Sequence, residues 1–341
     1  MTALPLDAIA AARVHGGPDG GGPVRFDFST NANACGPSLA ALVAVQAADA
    51  TRYPDPRYTA LRERLAAFHG VAPGRLLLAA SASEAIFRIT AWAAQRGIRQ
   101  ACIPTLAYGD YATAAAAWRM AVYRADTASA SAPMPRAGAV PVLVWACDPS
   151  SPRGTSDPVP AAGPDDLLVL DRAYAPLRLS GRSAWAPADL DRAWQLWSPN
   201  KALGLTGLRA AYAIAPTGAE ASIAGLYGLS PSWPVGAHGV ALLQAWCEDT
   251  TQLWLAESLE TLRAWNARQQ AICDGLGWTV LPSDTPFFCA RLPLSSARAA
   301  ALRRAGIQLR DGTSFGLPGH ARLSVQSPAA QDALRAAWQA G

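Results

Sequence analysis

The sequence predicts an α/β protein: a mostly parallel sheet between helices, followed by a smaller α+β unit at the C-terminal end. Three observations carry this. Strand-like runs alternate with helical segments from about residue 75 to about 215. Two of those runs, Val140–Trp145 and Leu167–Leu170, are continuously apolar, as expected of strands covered on both faces. Beyond Pro216 the alternation gives way to longer helices and then to short strands.

Residues 11–37 are irregular and glycine-rich, a mobile arm or a cradle of backbone N–H groups for an anion. After the turn Arg52-Tyr53-Pro54-Asp55-Pro56, Leu61, Leu65 and Phe68 recur at helical spacing. Arg75–Ala80 reads as a buried strand, Ser81-Ala82-Ser83 as its turn and helix cap, and Glu84–Arg96 as a helix. Free N–H groups and the positive end of a helix dipole at such a turn suit a phosphate, although most serine caps bind nothing. Short strands at Ala101–Ile103 and Ala121–Tyr123 flank a helix starting near Tyr108-Gly109-Asp110-Tyr111. The Leu167–Leu170 strand ends at Asp171, and ligands of open α/β sheets bind at the carboxyl ends of strands. A turn aspartate is the alternative reading there. Arg192–Trp197 and Arg209–Ala215 read as two strands bracketing a loop, then come helices over 217–226, 235–249 and 251–275. Phe287–Leu292, Gly306–Arg310 and Ala321–Val325 read as strands before a final helix.

Composition excludes several function classes. At 341 residues with 51% hydrophobic content the chain supports sizeable cores, and its net charge of +4 is spread without a basic block, so nucleic acid is not implied. No apolar run reaches the roughly 18 residues of a membrane span and no signal peptide opens the chain, which makes the cytoplasm the expected compartment. Six dispersed cysteines and four histidines show neither a disulfide framework nor metal-ligand spacing, so no metal is expected.

The most informative residue is Lys201, the single lysine beside 28 arginines. Arginine supplies surface charge equally well, so the one position it has not taken is one where it cannot serve. A neutral primary amine able to form a Schiff base fits that requirement, because a guanidinium stays charged. The alternative is a chance surface leftover, but Lys201 lies in Ser198-Pro199-Asn200-Lys201-Ala202-Leu203-Gly204-Leu205-Thr206-Gly207-Leu208-Arg209, with a hydroxyl three residues before and an arginine eight after.

These residues resemble the fold-type-I pyridoxal 5'-phosphate (PLP) enzymes of the class I/II aminotransferase group, over nearly the whole chain. The resemblance implies a mostly parallel seven-stranded sheet in a large PLP-binding domain (38–235), an N-terminal arm (1–37) and a small C-terminal domain (236–341) that takes in part of the N-terminal segment. It implies that Lys201 is the Schiff-base lysine, that Ser198, Arg209, Ala82 and Ser83 hold the cofactor phosphate, and that Asp171 pairs with the pyridinium nitrogen. Tyr174 would bond the ring oxygen, Tyr108 would stack on the ring, Tyr53 would reach the phosphate of a second subunit in a homodimer, and Arg322 would clamp a substrate carboxylate. The family's N-P-N-N-P-T-G is here Asp148-Pro149-Ser150-Ser151-Pro152-Arg153-Gly154, with Ser151 where an asparagine normally touches the ring oxygen. Arg172 replaces a usual glutamate and Ser81 a usual glycine.

Two branches of that group compete. Histidinol-phosphate aminotransferases share most of these motifs. The stretch His15-Gly16-Gly17 followed by Phe28-Ser29-Thr30-Asn31-Ala32-Asn33-Ala34-Cys35-Gly36-Pro37 is more similar to the arm of the cobalamin-biosynthesis threonine-phosphate decarboxylases, and Gly228–Val235 resembles a stretch of the CobC-type proteins of that pathway. Pro18 and Ala34 depart from the arm's pattern. This branch implies a phosphorylated amino acid as substrate, L-threonine O-3-phosphate decarboxylated to (R)-1-amino-2-propanol O-2-phosphate, with His15, Gly16 and Asn33 contacting it beside Arg322. A non-catalytic PLP-binding relative, motivated by the altered Ser150, Ser151 and Arg153 positions, is the expectation from a different class.

Overall fold

The computed structural model describes residues 16–126 and 140–340. In chain order the elements are β1 (Phe26–Asp27), α1 (Leu39–Gln46), α2 (Thr59–His69), β2 (Leu76–Ala79), α3 (Ala82–Gln95), β3 (Gln100–Pro104), α4 (Gly109–Ala117), β4 (Ala121–Ala125), β5 (Leu143–Cys147), β6 (Leu167–Asp171), α5 (Pro187–Arg192), β7 (Trp194–Trp197), β8 (Ala211–Ile214) and α6 (Glu220–Gly228). There follow α7 (Ala237–Trp246), α8 (Asp249–Gly275), β9 (Thr279–Val280), β10 (Phe287–Arg291), α9 (Ser296–Arg304), β11 (Ile307–Gln308), β12 (Arg310–Asp311), β13 (His320–Ser324) and α10 (Pro328–Ala340).

Seven strands form the main sheet in the order β2-β8-β7-β6-β5-β3-β4. The β3/β4, β3/β5, β5/β6 and β6/β7 pairs are parallel, and β8 runs antiparallel to both of its neighbours. The chain builds outward from β3 to β4 and then returns to lay β5, β6 and β7 on the other side, which opens a crevice at the carboxyl ends of the central strands. Alternation within strands divides the core between the two faces. Leu76, Leu78, Tyr212 and Ile214 pack with α1, α2 and α7, whereas Leu77, Ala79, Ala211 and Ala213 pack with α3, α4 and α6. All four β2 residues are fully buried, at about 2 kcal/mol of apolar burial for each leucine.

A four-stranded antiparallel sheet, β12-β13-β10-β9, forms the smaller unit, and β1 pairs in parallel with β11 beside it. The arm is thus partly strand rather than irregular throughout. The expected Gly306–Arg310 strand is split because its halves serve different partners, Ile307–Gln308 pairing with β1 and Arg310–Asp311 with β13. The expected boundary at 235 falls before α7, yet α7 packs against α1 and α2 of the large unit, and the 27-residue α8 is the connector. Among the described residues no helix is long and apolar enough to cross a membrane.

Behind the Lys201 loop, His69 at the end of α2 bonds Tyr212 Oη through Nε2 at 2.8 Å and lies against Trp197, while Trp246 donates to the same hydroxyl at 3.1 Å. Burial, reinforced by the Arg172 charge, pushes the His69 imidazole down from 6.5 to about 4. Between those two values the unfolded chain takes a proton that the fold refuses, so stability falls as pH drops from 6.5 toward 4. Replacing His69 by glutamine, which keeps a polar partner for Tyr212, should remove roughly 2 to 3 kcal/mol of the difference in urea-unfolding free energy between about pH 7 and about pH 4.5. An unchanged difference would locate the acid sensitivity elsewhere.

Candidate active site

Lys201 follows β7 in a loop wound around Asn200. Ser198 Oγ donates to Asn200 Oδ1 at 2.9 Å, and Asn200 Nδ2 donates to the carbonyls of Thr206 (3.3 Å) and Leu208 (3.2 Å). The N-terminal arm grips this loop from outside. Asn33 N–H bonds the Lys201 carbonyl at 2.9 Å and Ser38 N–H the Leu203 carbonyl at 3.0 Å. Gly204 has φ +68°, and a Cβ there would stand 2.5 Å from the Gly36 carbonyl, so only glycine permits the approach.

Inside the loop a cavity of about 440 Å³ opens at the carboxyl ends of β2, β3, β5, β6 and β7. Of the residues singled out in the sequence, Gly16, Ala82, Ser83, Tyr108, Ser151, Asp171, Tyr174, Ser198, Lys201, Arg209 and Arg322 all line it. Lys201 Nζ lies 5.2 Å from the centroid of the buried Tyr174 ring. Ser81, not Ser83, caps α3 by accepting from Glu84 N–H, which leaves the Ser83 hydroxyl to meet Tyr108 Oη at 3.1 Å.

Asp171 ends β6 with its carboxylate buried. Oδ1 accepts Ala173 N–H at 2.9 Å and Oδ2 accepts the Tyr111 hydroxyl at 2.7 Å. Burial raises its proton affinity, opposed by those two hydrogen bonds and by the Lys201 charge. On the opposite wall Arg322, buried in β13, donates to the Ser29 carbonyl at 2.7 Å and stands over the Phe315 ring. Arg310 shares that ring at 4.7 Å, placing a second guanidinium beside the first. Asp27 ties the arm down by accepting from Ser29 N–H (2.7 Å) and Thr30 Oγ1 (2.6 Å), and Gly17 N–H in turn donates to Ser29 Oγ at 2.8 Å.

Two expected site residues, Asn33 and Tyr53, are not among the residues that line the cavity. Asn33 is corrected from substrate contact to loop clamp: its amide donates to the Ala202 carbonyl (3.1 Å) and to Ser258 Oγ (2.7 Å). Asn31 lines the cavity instead, donating to Tyr174 Oη at 3.4 Å, and its Oδ1 is buried with no hydrogen-bond partner among the described residues. Tyr53 is 77% exposed and stacks on Trp233 at 4.4 Å. His15 lies outside the described residues. Sequence reading also passed over Tyr111 and Arg310, which carry no spacing signal of their own.

The altered motif at 148–154 has its own account. Asp148 is held by Arg178 (2.9 Å), Ser156 (2.8 Å) and Ser183, and Arg153 pairs with Asp157 at 2.6 Å. These contacts pin the loop, leaving Ser151 as its cavity-facing side chain. Arg172 lies over the Trp197 ring and donates to Gln195, away from the cavity. No group of three or more His, Cys, Asp or Glu that could hold a metal occurs among the described residues.

A lysine, a buried carboxylate, a helix N-terminus and an arginine thus converge where the sheet's strands end. The family model for aminotransferase class I and II matches residues 25–337. The chain belongs to that family. Among curated relatives it is similar to the histidinol-phosphate aminotransferase of Haloquadratum walsbyi, at 27% identity over 87% of this chain and 81% of that one. It is also similar to histidinol-phosphate aminotransferase 1 of Burkholderia pseudomallei, at 28% identity over 92% and 91%. Its fold matches that of the Sinorhizobium meliloti histidinol-phosphate aminotransferase solved with pyridoxal 5'-phosphate (TM-score 0.77, 21% identity, 99% of both chains). It also matches the L-threonine-O-3-phosphate decarboxylase of Porphyromonas gingivalis (TM-score 0.73, 21% identity, 92% and 98%). The mixed seven-stranded sheet is the fold these enzymes share with this chain.

Gly16 decides how closely this family member's arm approaches Arg322. A Cβ at Gly16 would stand 1.9 Å from the Ser29 carbonyl and 2.9 Å from Arg322 Nη2. Gly16→Ala should therefore raise KM for an anionic substrate by about tenfold or more while changing cofactor affinity less than about twofold. Steady-state kinetics and equilibrium dialysis check the split.

Proposed function

We propose that the chain is a pyridoxal 5'-phosphate-dependent enzyme acting on a small phosphorylated amino acid, with decarboxylation of L-threonine O-3-phosphate to (R)-1-amino-2-propanol O-2-phosphate as the leading reading. The observation that carries it is the arm lashed to the cationic wall: Gly16 and Ser29 against Arg322, with Arg310 adjacent. Arg322 lines the cavity and suits a substrate carboxylate, while Arg310 beside it, held by the Asp311 carbonyl (2.8 Å) and Ser314 Oγ (2.6 Å), adds positive charge to that wall for an anionic substrate. The family's cofactor fits the residues present. Lys201 would hold its aldehyde carbon, Asp171 its ring nitrogen, Tyr108 and Tyr174 its ring, and Ser198, Arg209 and the α3 N-terminus with Ala82 and Ser83 its phosphate. When bound, the cofactor supplies an electron sink for charge developing at the substrate's α-carbon.

The chain's own groups then choose the reaction. Lys201 is the proton carrier at the α-carbon, as a base if hydrogen is removed and as an acid if carbon dioxide has left. Which bond at the α-carbon would break depends on how Arg322 and the arm orient the bound substrate. With Arg322 fixed by the Ser29 carbonyl and the Phe315 ring, a carboxylate bound to it takes its orientation from the arm. The second reading, a histidinol-phosphate-type aminotransferase, is favoured by the relatives at 27–28% identity. In that case Lys201 moves a proton between two carbons and no carbon dioxide appears.

A homodimer is part of the proposal, because an exposed aromatic pair, Tyr53 on Trp233, stands outside its own cavity and suits a role at a partner's. Six cysteines without a disulfide suit a reducing cytoplasm. Purified protein given L-threonine O-3-phosphate should release carbon dioxide and the amino alcohol phosphate. Amino exchange between histidinol phosphate and 2-oxoglutarate, with no carbon dioxide from the first substrate, would select the aminotransferase. The holoprotein's visible band should vanish in Lys201→Ala and also in Lys201→Arg, and turnover should fall to background in both. A turnover-competent Lys201→Ala would sink both readings, and a normal band with no turnover of any phosphorylated amine would favour a non-catalytic binder.

A further inference from the structure

The first turn of α4 presents two tyrosines to the site, and only Tyr108 has a role in the proposed cofactor site. Tyr111, three residues on, is fully buried and lies flat on Trp145, with ring centroids 4.8 Å apart and planes 8° from parallel. Its hydroxyl donates to Asp171 Oδ2 at 2.7 Å across 60 residues of sequence. Trp145 and Cys147 project from the same face of β5, and Cys147 is the register partner of Asp171 on β6. The tyrosine ring is therefore set by the sheet itself rather than by a loop.

We propose that Tyr111 is the positioning residue for Asp171. Its hydroxyl fixes the rotamer of the carboxylate and, by donating to it, keeps the group ionised where it must face the cofactor's ring nitrogen. The inference rests on the reading of Asp171 given above. A buried carboxylate with two donors retains its charge far better than one with a single backbone donor, and hydrogen bonds to ionised acceptors are the strong ones. The other groups near Asp171 do not substitute for Tyr111. The Cys147 thiol meets the Pro149 carbonyl at 3.2 Å, Ala173 N–H occupies the opposite carboxylate oxygen, and Lys201 acts on the carboxylate through its charge, which does not fix a rotamer. Burial and the adjacent Asp171 charge hold the Tyr111 phenol well above its ordinary range, so it remains a donor at working pH.

Tyr111→Phe removes one oxygen atom and keeps the ring that stacks on Trp145. In the otherwise unchanged protein this variant should weaken cofactor binding, measured by equilibrium dialysis, by about tenfold or more. In an Asp171→Asn background the same change should alter it by less than about twofold, because the group Tyr111 acts through has lost its charge. Carbon-13 NMR of aspartate-labelled, cofactor-free protein gives a second readout independent of the cofactor: the Asp171 carboxyl should titrate at higher pH in Tyr111→Phe. Equal loss of cofactor affinity in both backgrounds with an unmoved Asp171 titration would overturn the proposal and leave Tyr111 a packing residue. If instead Asp171→Asn by itself left cofactor affinity unchanged, the reading of Asp171 would fall, which is a separate outcome.

Discussion

At the carboxyl end of β6, the middle strand of seven, a buried carboxylate lines the cavity. Removing such a group from water is expensive unless its oxygens find donors, and much of the large unit's local arrangement answers that requirement. Ala173 N–H is supplied by the turn that follows β6, and the Tyr111 hydroxyl by a helix whose start is set by the end of β3. Lys201 brings a compensating charge across the cavity from the end of β7. Parallel strands deliver these groups to one edge because every parallel strand ends on the same side of the sheet. The reversed strand β8 then carries the chain away from the Lys201 loop and back down the sheet.

The second constraint is closure of the cavity's far wall. The smaller unit alone presents Arg322 and Arg310 beside Phe315, and the large unit alone presents the Lys201 loop. The arm joins them, with Ser29 on Arg322 and Asn33 and Ser38 on the backbone of the lysine loop. These are largely backbone contacts, which transmit position without depending on a flexible side chain. Gly16 and Gly204 mark the places where the two surfaces approach too closely for a Cβ.

Much of this was legible in the sequence, and the reasons are specific. Lys201 stood out because arginine cannot take its place, and Asp171 because a wholly apolar run ended on it. The β2, β5 and β6 strands could be read because strands buried on both faces carry a continuous apolar run, whereas the edge strand β4 is largely exposed. Leu39–Gln46 was not foreseen as a helix, since it is apolar nearly all round and so has no face to betray its period. The expected Arg192–Trp197 strand begins two residues later, at Trp194, because a short helix opened by Pro187 and Asp189 runs to Arg192. Asn31 and Asn33 could not be told apart, as an irregular segment has no period from which to deduce facing. Tyr111 was hidden for a different reason: its partner lies 60 residues away, and helical spacing only relates it to its own turn.

The pairing of β1 with β11 has a consequence for how the protein comes into being. A ribosome makes the arm well before its partners Ile307, Gln308 and Arg322, so the arm waits without its mates while the whole of the main sheet is made. The seven-stranded sheet is complete in sequence by Ile214 and is free to assemble well before then. A nascent chain stalled before residue 300 would therefore carry Lys201, Asp171 and the Ala82-Ser83 turn, while the wall built by Phe315 and Arg322 is still inside the exit tunnel or unmade. One wall of the cavity can thus be folded before the other has been made.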